Sequence, residues 1–316
     1  MPISRRDFLA SSALALGAGT FGRPAVAGAW QLPPQAAQPM PPQQPAQWTP
    51  LFTEIRRGVG QFTGRGGTIG YLINAGGVVV VDSQFPDSAK VCVDGINERS
   101  KNRPVDRLIN THHHGDHSAG NIVFKGLAKK VVATEFAAGL IKQAAAAPNA
   151  TEQLSPDTTF TDMWREQIGD EWVRAKWHGR AHTGGDAVIT FERANVAHMG
   201  DLMFNRRVPV IDRVNGALVA NWVSVIEKAA ADHSNDTIYI FGHAGTGHSV
   251  TGARSELMHF RDYLTALLEH TRAAVKVGQS KEQFTATTPT LKGFEAFGAH
   301  NARTLGIVYD EVTDKA

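Results

Sequence analysis

Short apolar runs and stretches of helical spacing follow one another along most of the 316-residue chain. Two β-rich runs, at 68–74 and 78–82, are joined by Ala75-Gly76-Gly77, which predicts a hairpin. Further β-rich runs predict strands at 107–110, 130–134, 188–191, 196–198 and 238–241. Apolar residues at every third or fourth position predict four helices. One lies at 88–100, one follows the strand at 130–134 and ends at residue 143, one lies around Trp222 and one around Leu264. Strands that alternate with helices indicate an α/β fold.

Polar residues with chemical potential follow the ends of these predicted strands. A histidine cluster comes directly after the strand at 107–110, Asp201 follows the strand at 196–198, and His243 follows the strand at 238–241. An α/β scaffold presents a functional site in this way, on the segments that leave its strands. The loop at 147–161 contains two prolines, four Thr and one Asp, and its length is typical of a lid near a site.

The first 50 residues differ in character from the rest of the chain. Arg5 and Arg6 precede an apolar run at 10–18, and Ala25-Val26-Ala27 offers small residues for cleavage, so this segment resembles a bacterial twin-arginine signal. The alternative is an amphipathic helix at the start of the folded domain. The apolar run is too short and too rich in Ala and Gly for a membrane span. The signal implies the twin-arginine export machinery as a partner and the periplasm as the location.

Residues 28–50 are rich in Pro and Gln, a composition that favours extended chain over a packed core. The predicted organisation is therefore a signal peptide at 1–27, a linker at 28–50 and one domain at 51–316. We expect no membrane span in the mature protein, and its oligomeric state is left open.

Charge and cysteine content narrow the range of functions. Residues 1–27 hold three of the 32 basic and one of the 30 acidic side chains, which leaves 29 of each in the mature chain. A near-neutral protein without a phosphate-binding glycine loop is a poor match to a nucleic-acid partner. Cys92 stands alone, so no internal disulfide can form, and its apolar neighbours indicate a packed structural side chain.

The segment Thr111-His112-His113-His114-Gly115-Asp116-His117 places four His and one Asp in six positions. Side chains offset by one or two residues directly after a strand can turn toward a common point. Neutral imidazole nitrogen and carboxylate oxygen are ligands that zinc prefers, at roughly 2.0–2.2 Å. One histidine alone would more simply be a surface or core residue. Three later segments add further ligand-type side chains beside glycine, at His182, Asp201 and His243.

This combination resembles the metallo-β-lactamase-fold hydrolase superfamily over residues 55–275. The resemblance implies a four-layer αβ/βα sandwich, with two mixed β-sheets flanked by helices. It also implies two metal ions: His112, His114 and His182 would hold one, Asp116, His117 and His243 the other, and Asp201 would bridge both. His113 would point away from the metals. Asp82 matches a position whose side chain, in the family, supports a metal ligand without binding the metal itself. The alternative, with equal weight, is that Asp82 is only a turn residue at the end of a strand.

The resemblance also implies a reaction. Two cations about 3.5–4 Å apart share a water and lower its pKa from 15.7 to about 7, which makes it nucleophilic. Asp116 is the residue expected to orient this water and handle its proton. Two Zn²⁺ per chain are expected, with Fe or Mn as alternatives.

The expected substrate is a small molecule with an ester, lactone, thioester or related bond. In the family that the sequence resembles, the zinc β-lactamases commonly carry Cys or Ser at the position of Asp201. The resemblance therefore disfavours a dedicated lactam hydrolase, which nevertheless stays open as an alternative. A periplasmic metal-binding accessory protein without catalysis is the second alternative. Arg206 and Arg207 could place a cation near an anionic substrate or form a solvated turn. Asn121 is expected to cap a helix, and His248 to lie at the surface.

Overall fold

The computed structural model describes residues 48–148 and 150–314. The predicted signal at 1–27 and the predicted linker up to residue 47 lie outside these residues. The first described strand begins at Leu51. None of the helices in the described part has the length and apolarity that crossing a bilayer requires.

The first sheet has seven strands that lie side by side in chain order. They are β1 (Leu51–Arg56), β2 (Val59–Thr63), β3 (Ile69–Asn74), β4 (Gly77–Val81), β5 (Arg107–Ile109), β6 (Val131–Thr134) and β7 (Thr158–Phe160). The first four pair antiparallel, and β4 to β7 pair parallel. Parallel neighbours need crossover connections, and these contain helices α1 (Pro86–Ser100), α2 (Gly115–Ser118) and α3 (Glu135–Ala145).

The second half of the chain forms a six-stranded sheet and a two-stranded one. Its strands are β8 (Met163–Ile168), β9 (Glu171–Trp177), β10 (Ala187–Phe191), β11 (Val196–His198), β12 (Phe204–Asn205), β13 (Ile238–Ile240), β14 (His243–Ala244) and β15 (Thr251–Gly252). The larger sheet has the order β15-β13-β11-β10-β9-β8, and β12 pairs parallel with β14. The helices are α4 (Val219–Ala231), α5 (Arg254–Lys276), α6 (Lys281–Thr285) and α7 (Ala302–Thr313).

Apolar side chains hold four layers together. Between the two sheets, Val81 from β4 and Phe191 from β10 belong to one buried cluster. Outside the first sheet, Val80 packs in a cluster with Cys92 of α1, and outside the second sheet, Trp222 of α4 packs in a cluster with helix α5. Neighbouring residues of β4 thus face opposite sides, as the period of a strand requires. The predicted α/β four-layer sandwich is confirmed, and burial raises the pKa of the Cys92 thiol, which fits a packed structural cysteine.

The predicted strands and helices are all present, with ends shifted by a few residues, but several elements were not predicted. Among these are β1, β2, β8, β9 and α7. Strand β9 alternates apolar with basic residues only from Val173 to Trp177, and β8 shows no alternation and buries only the last of its six residues. The loop predicted at 147–161 is wrong at its end, because β7 occupies Thr158–Phe160 at an edge of the first sheet.

Candidate metal centre

Seven side chains meet where strands of both sheets end. His112 and His114 follow β5, and Asp116 and His117 lie on the short helix α2. These four are joined by three side chains from the second half of the chain. They are His182 in the connection between β9 and β10, Asp201 just after β11, and His243 at the start of β14. The predicted convergence is therefore observed for all seven positions.

One group, here called the first cluster, consists of His112, His114 and His182 together with Asp201. One ligand atom from each residue lies within 4.8 Å of all the others. The closest approach joins His182 Nε2 to His114 Nδ1 at 2.9 Å. Nitrogen atoms this close together can converge on a single cation.

The second cluster consists of Asp116, His117 and His243. His243 Nε2 lies 3.1 Å from Asp116 Oδ2 and 3.4 Å from His117 Nε2. The third side of this triangle, from His117 Nε2 to Asp116 Oδ2, measures 3.8 Å. Two imidazoles and one carboxylate therefore face a common point.

The carboxylate of Asp201 lies between the two clusters. Its Oδ2 is 3.5 Å from His182 Nε2 and 4.0 Å from His112 Nε2 in the first cluster. Its Oδ1 is 3.0 Å from His117 Nε2 and 3.4 Å from His243 Nε2 in the second. Each oxygen thus faces a different cluster, which is the arrangement that a bridging ligand needs.

The outer nitrogens of two first-cluster histidines have protein partners. His114 Nε2 lies 2.9 Å from Asp212 Oδ2, and His182 Nδ1 lies 2.8 Å from the carbonyl oxygen of Val210. A proton on each outer nitrogen leaves the lone pair of the other nitrogen directed into the cluster, as in metal-binding histidines. His112 Nε2 is buried and has no hydrogen-bond partner among the described residues. This donor set fits a cation.

Asp82 supports both clusters from outside. Its Oδ2 lies 2.8 Å from His117 Nδ1 and accepts a hydrogen bond from Thr111 Oγ1, also 2.8 Å away. Thr111 Oγ1 is in turn 3.0 Å from His112 Nδ1. Asp82 has a φ of 64°, a left-handed conformation that is uncommon outside glycine and is found at functional sites. We infer the supporting role rather than that of a plain turn residue.

The two clusters differ in charge. Burial lowers the pKa of His182 to about 3 and holds the pKa of His112 well below its usual value, so both are neutral, as ligands must be. For His117 and His243, burial is outweighed chiefly by the negative charge of Asp201, and the pKa of each is raised. The pKa of Asp201 is well below its usual value, because burial is outweighed by the charges of His243 and His117. The second cluster therefore favours positive charge.

A cavity of about 560 Å³ opens onto the metal centre. His114, Asp116, Asp201 and His243 form its polar floor. Its other walls are mainly apolar, with one basic side chain, and include Gly66, Phe85, Phe204, Arg207 and Val210. Asp116 is 30% exposed here and His243 is 11% exposed, so a small molecule can reach both.

The loop between β2 and β3 closes tightly over α2. A Cβ atom on Gly67 would lie 2.1 Å from Cε1 of His117, a distance that no side chain tolerates. The amide of Gly67 also donates a 3.0 Å hydrogen bond to the carbonyl oxygen of Asp116. Glycine at position 67 therefore allows the loop to contact the residues that form the second cluster.

Asp212 is the site residue that the sequence did not reveal. Besides His114, it lies 3.4 Å from His113 Nε2 and accepts a 2.8 Å hydrogen bond from Asn215 Nδ2. His113 lies in a group with Asp212 and His114 at the edge of the first cluster. The Asp-x-x-Asn spacing signals a turn, and only the fold places that turn beside His114, 98 residues earlier in the chain.

The expected cap at Asn121 is wrong. Its side chain is buried, accepts a 2.8 Å hydrogen bond from Ser83 Oγ, and donates to Asn110 Oδ1 at 2.7 Å. Asn121 thus connects the ends of β4 and β5 beneath α2. His248 is exposed, as expected.

The predicted lid does not cover the metal centre. Leu154 packs beside the core under α1, and its carbonyl oxygen accepts a 3.2 Å hydrogen bond from Asn121 Nδ2. Among the described residues of 147–161, none lines the 560 Å³ cavity.

Comparison with known proteins agrees with this geometry. A family model described as the metallo-beta-lactamase superfamily matches residues 63–262. The metallo-beta-lactamase IND-1 of Chryseobacterium indologenes is 28% identical over 182 residues, which are 56% of this chain and 73% of that protein. A metallo-beta-lactamase type 2 of Bacillus cereus is 25% identical over 197 residues, 62% of this chain and 72% of that protein.

Solved structures share the architecture. A metallo-beta-lactamase from Pontibacter korlensis superposes with a TM-score of 0.58 at 19% identity, covering 69% of this chain and 99% of that one. The inverting sec-alkylsulfatase Pisa1 from Pseudomonas sp. gives 0.65 at 15% identity, covering 83% of this chain and 50% of that one. At these identities the likeness shows the fold alone.

Proposed function

Since the chain belongs to the metallo-beta-lactamase superfamily, we propose that it is a hydrolase that uses two zinc ions. The observation that carries this proposal is the position of Asp201, whose two carboxylate oxygens face different clusters. The first cluster would hold one ion, the second cluster would hold the other, and Asp201 would bridge them. Iron or manganese would suit the same nitrogen and oxygen donors.

Bound divalent cations would supply Lewis acidity and a water molecule of lowered pKa. The chain's own residues supply the rest. Asp116 faces the cavity, and its hydrogen bond to His243, together with the charge of His117, outweighs burial and lowers its pKa to about 2. A carboxylate held ionised at the cavity floor can orient a water molecule by accepting a hydrogen bond from it, and this is the role that we assign to Asp116. A pKa this low makes the carboxylate a weak base, so the expected transfer of the water's proton to Asp116 is not part of this proposal.

The cavity indicates the class of substrate. Phe85, Phe204 and Val210 offer an apolar surface, while Arg207 adds a positive charge at the wall. We infer a small substrate with an apolar body and an anionic group, in which the bond that is hydrolysed is an ester, lactone or thioester. The curated relatives are named as metallo-beta-lactamases, so lactam hydrolysis is the second candidate. Asp201 argues against lactam hydrolysis, because the zinc β-lactamases commonly carry Cys or Ser at this position.

A substrate panel tests this proposal. Protein of known metal content is assayed with chromogenic esters, thioesters and lactones, each in a neutral and an anionic form, and with a cephalosporin and a secondary alkyl sulfate. We expect ester-type turnover that is lost in Asp116→Asn and His182→Ala and retained in His248→Gln, whose side chain is exposed. Preference for the cephalosporin would replace the proposed substrate class by the second candidate. Two metals per chain without any turnover would support the accessory protein instead.

We further propose that the chain is exported through the twin-arginine route and acts in the periplasm. The support is Arg5 and Arg6 before the apolar run at 10–18. In a bacterial host with this export system, fractionation should find wild-type protein in the periplasm and an Arg5→Lys/Arg6→Lys variant in the cytoplasm. Export that survives in this variant and in a host lacking the system would contradict the proposal.

A further inference from the structure

A second cavity, of about 450 Å³, lies beside the loop that carries His182. It has a different set of lining residues from the cavity over the metal centre. Three aromatic side chains, two carboxylates and one glycine of the His182 loop contribute to its lining: Phe136, Phe160, Trp177, Glu135, Asp162 and Gly184. Its volume is that of a pocket for a small organic molecule.

The aromatic walls are fixed by the protein. Trp177 Nε1 donates a 3.1 Å hydrogen bond to the carbonyl oxygen of Gly184, which holds the indole against the loop. The ring of Phe136 covers the same glycine, because a Cβ atom on Gly184 would lie only 2.6 Å from Phe136 Cζ. Phe136 is nevertheless 45% exposed, a large value for a phenylalanine. Its ring therefore has a free face.

The charge of this cavity is negative. Glu135 and Asp162 both belong to its lining, and neither forms an ion pair with a basic residue in the described part of the chain. Glu135 lies in the first turn of α3, where a negative charge also stabilises the helix. Asp162 lies in the turn between β7 and β8 and has no such role. Among the side chains that line the cavity there is no Lys or Arg.

We propose that this cavity binds an organic cation, a quaternary or protonated amine with an apolar body. Aromatic faces attract a cation through their quadrupole, and the two carboxylates add a favourable potential. An inorganic cation would gain little from three aromatic walls, and an anion would be repelled. The site is separate from the metal centre, so the proposal does not depend on the proposed hydrolase activity.

Calorimetric titration with choline and with its uncharged analogue 3,3-dimethylbutan-1-ol isolates the effect of the charge. We expect choline to bind the zinc-loaded protein about three- to tenfold more tightly than the alcohol, a difference typical of a cation–π contact at a partly exposed site. Equal binding of the two probes, or binding of neither, would overturn the proposal.

Two double variants locate the site. Glu135→Gln/Asp162→Asn removes both carboxylates and should lower choline affinity about tenfold. Glu98→Gln/Glu269→Gln removes the same charge from exposed helix positions and should leave affinity unchanged. Circular dichroism and metal content, expected to be normal in both, exclude misfolding. Choline affinity that falls equally in the two variants would show a general effect of charge and contradict a site at this cavity, as would affinity unchanged in Trp177→Leu.

Discussion

The first and second clusters of the metal centre both contact the carboxylate of Asp201, but the charges of their histidines differ. In the first cluster, burial keeps His112 and His182 neutral, and polar groups of the protein orient the rings. In the second, carboxylates raise the pKa of His117 and His243 and create a demand for positive charge. The first cluster therefore relies on rigid placement of neutral ligands, and the second cluster relies on electrostatic attraction.

Removal of the shared carboxylate should have the largest effect. In Asp201→Ala both clusters lose a ligand and the second loses its main negative charge. We expect metal content to fall from about two ions to fewer than one per chain, and turnover to fall at least about a thousandfold. Inductively coupled plasma mass spectrometry measures the metal content, and the ester assay measures turnover. Asp94→Ala, on an exposed face of α1, is the control and should change neither. Retention of two ions in Asp201→Ala would show that this carboxylate is no bridge.

Removal of one histidine from either cluster should abolish metal binding in that cluster alone. His182→Ala and His243→Ala should each leave about one ion per chain. His182 is fully buried against Phe204 and Trp222, with ring centroids 5.6 and 5.5 Å away. His182→Ala should therefore also cost about 2–4 kcal/mol of unfolding free energy in metal-free protein, since it leaves a cavity. His243→Ala should lower the unfolding free energy by less, because His243 is partly exposed. Chemical denaturation of both apo variants tests the difference, and equal losses would contradict it.

The outer carboxylates should have intermediate effects. Asp82→Asn keeps the shape of the side chain, and Asn tolerates the left-handed backbone at this position. Because Asp82 contacts His117 directly and His112 through Thr111, we expect affinity for both metals to fall about 10–100-fold. Asp212→Asn should weaken only the metal of the first cluster. Competition with a chromogenic chelator measures the affinity for each of the two metals separately. Equal weakening of both metals in Asp212→Asn, as in Asp82→Asn, would contradict the prediction.

Arg207→Met should have the smallest effect. Arg207 lines the cavity without belonging to either cluster. Metal content should stay at two ions, while KM for an anionic substrate rises about 3- to 10-fold, as expected of a charge at the rim of a site. KM for the neutral form of the same substrate is the internal control. A parallel rise for both forms would show that the side chain acts through shape rather than charge.

The sequence pattern identified the seven donors as ligand-type side chains that stand together in one short motif or beside glycine, most of them directly after a predicted strand. That these side chains from residues 112 to 243 would meet at one place was implied by the resemblance to the metallo-β-lactamase-fold superfamily, because local pattern does not state which strand ends share an edge.

Asp212 and the predicted lid show where this reasoning stops. The Asp-x-x-Asn spacing at Asp212 indicates only a turn, and the contact of Asp212 with His114 depends on how the segment after Asp201 folds back. The segment at 147–161 looked like a lid from its composition, but composition does not say at which edge of a sheet a loop lies. Phe160, at its end, contributes instead to the cavity proposed for an organic cation.

The contact between Gly67 and His117 has a consequence for how variation in this chain is interpreted. Because any side chain at position 67 would collide with the imidazole, a saturation library selected for activity should be depleted there almost as strongly as at the ligands. Position 67 would then look catalytic, although it offers no donor atom. Intolerance to substitution at this glycine reports the lack of space next to the chemistry.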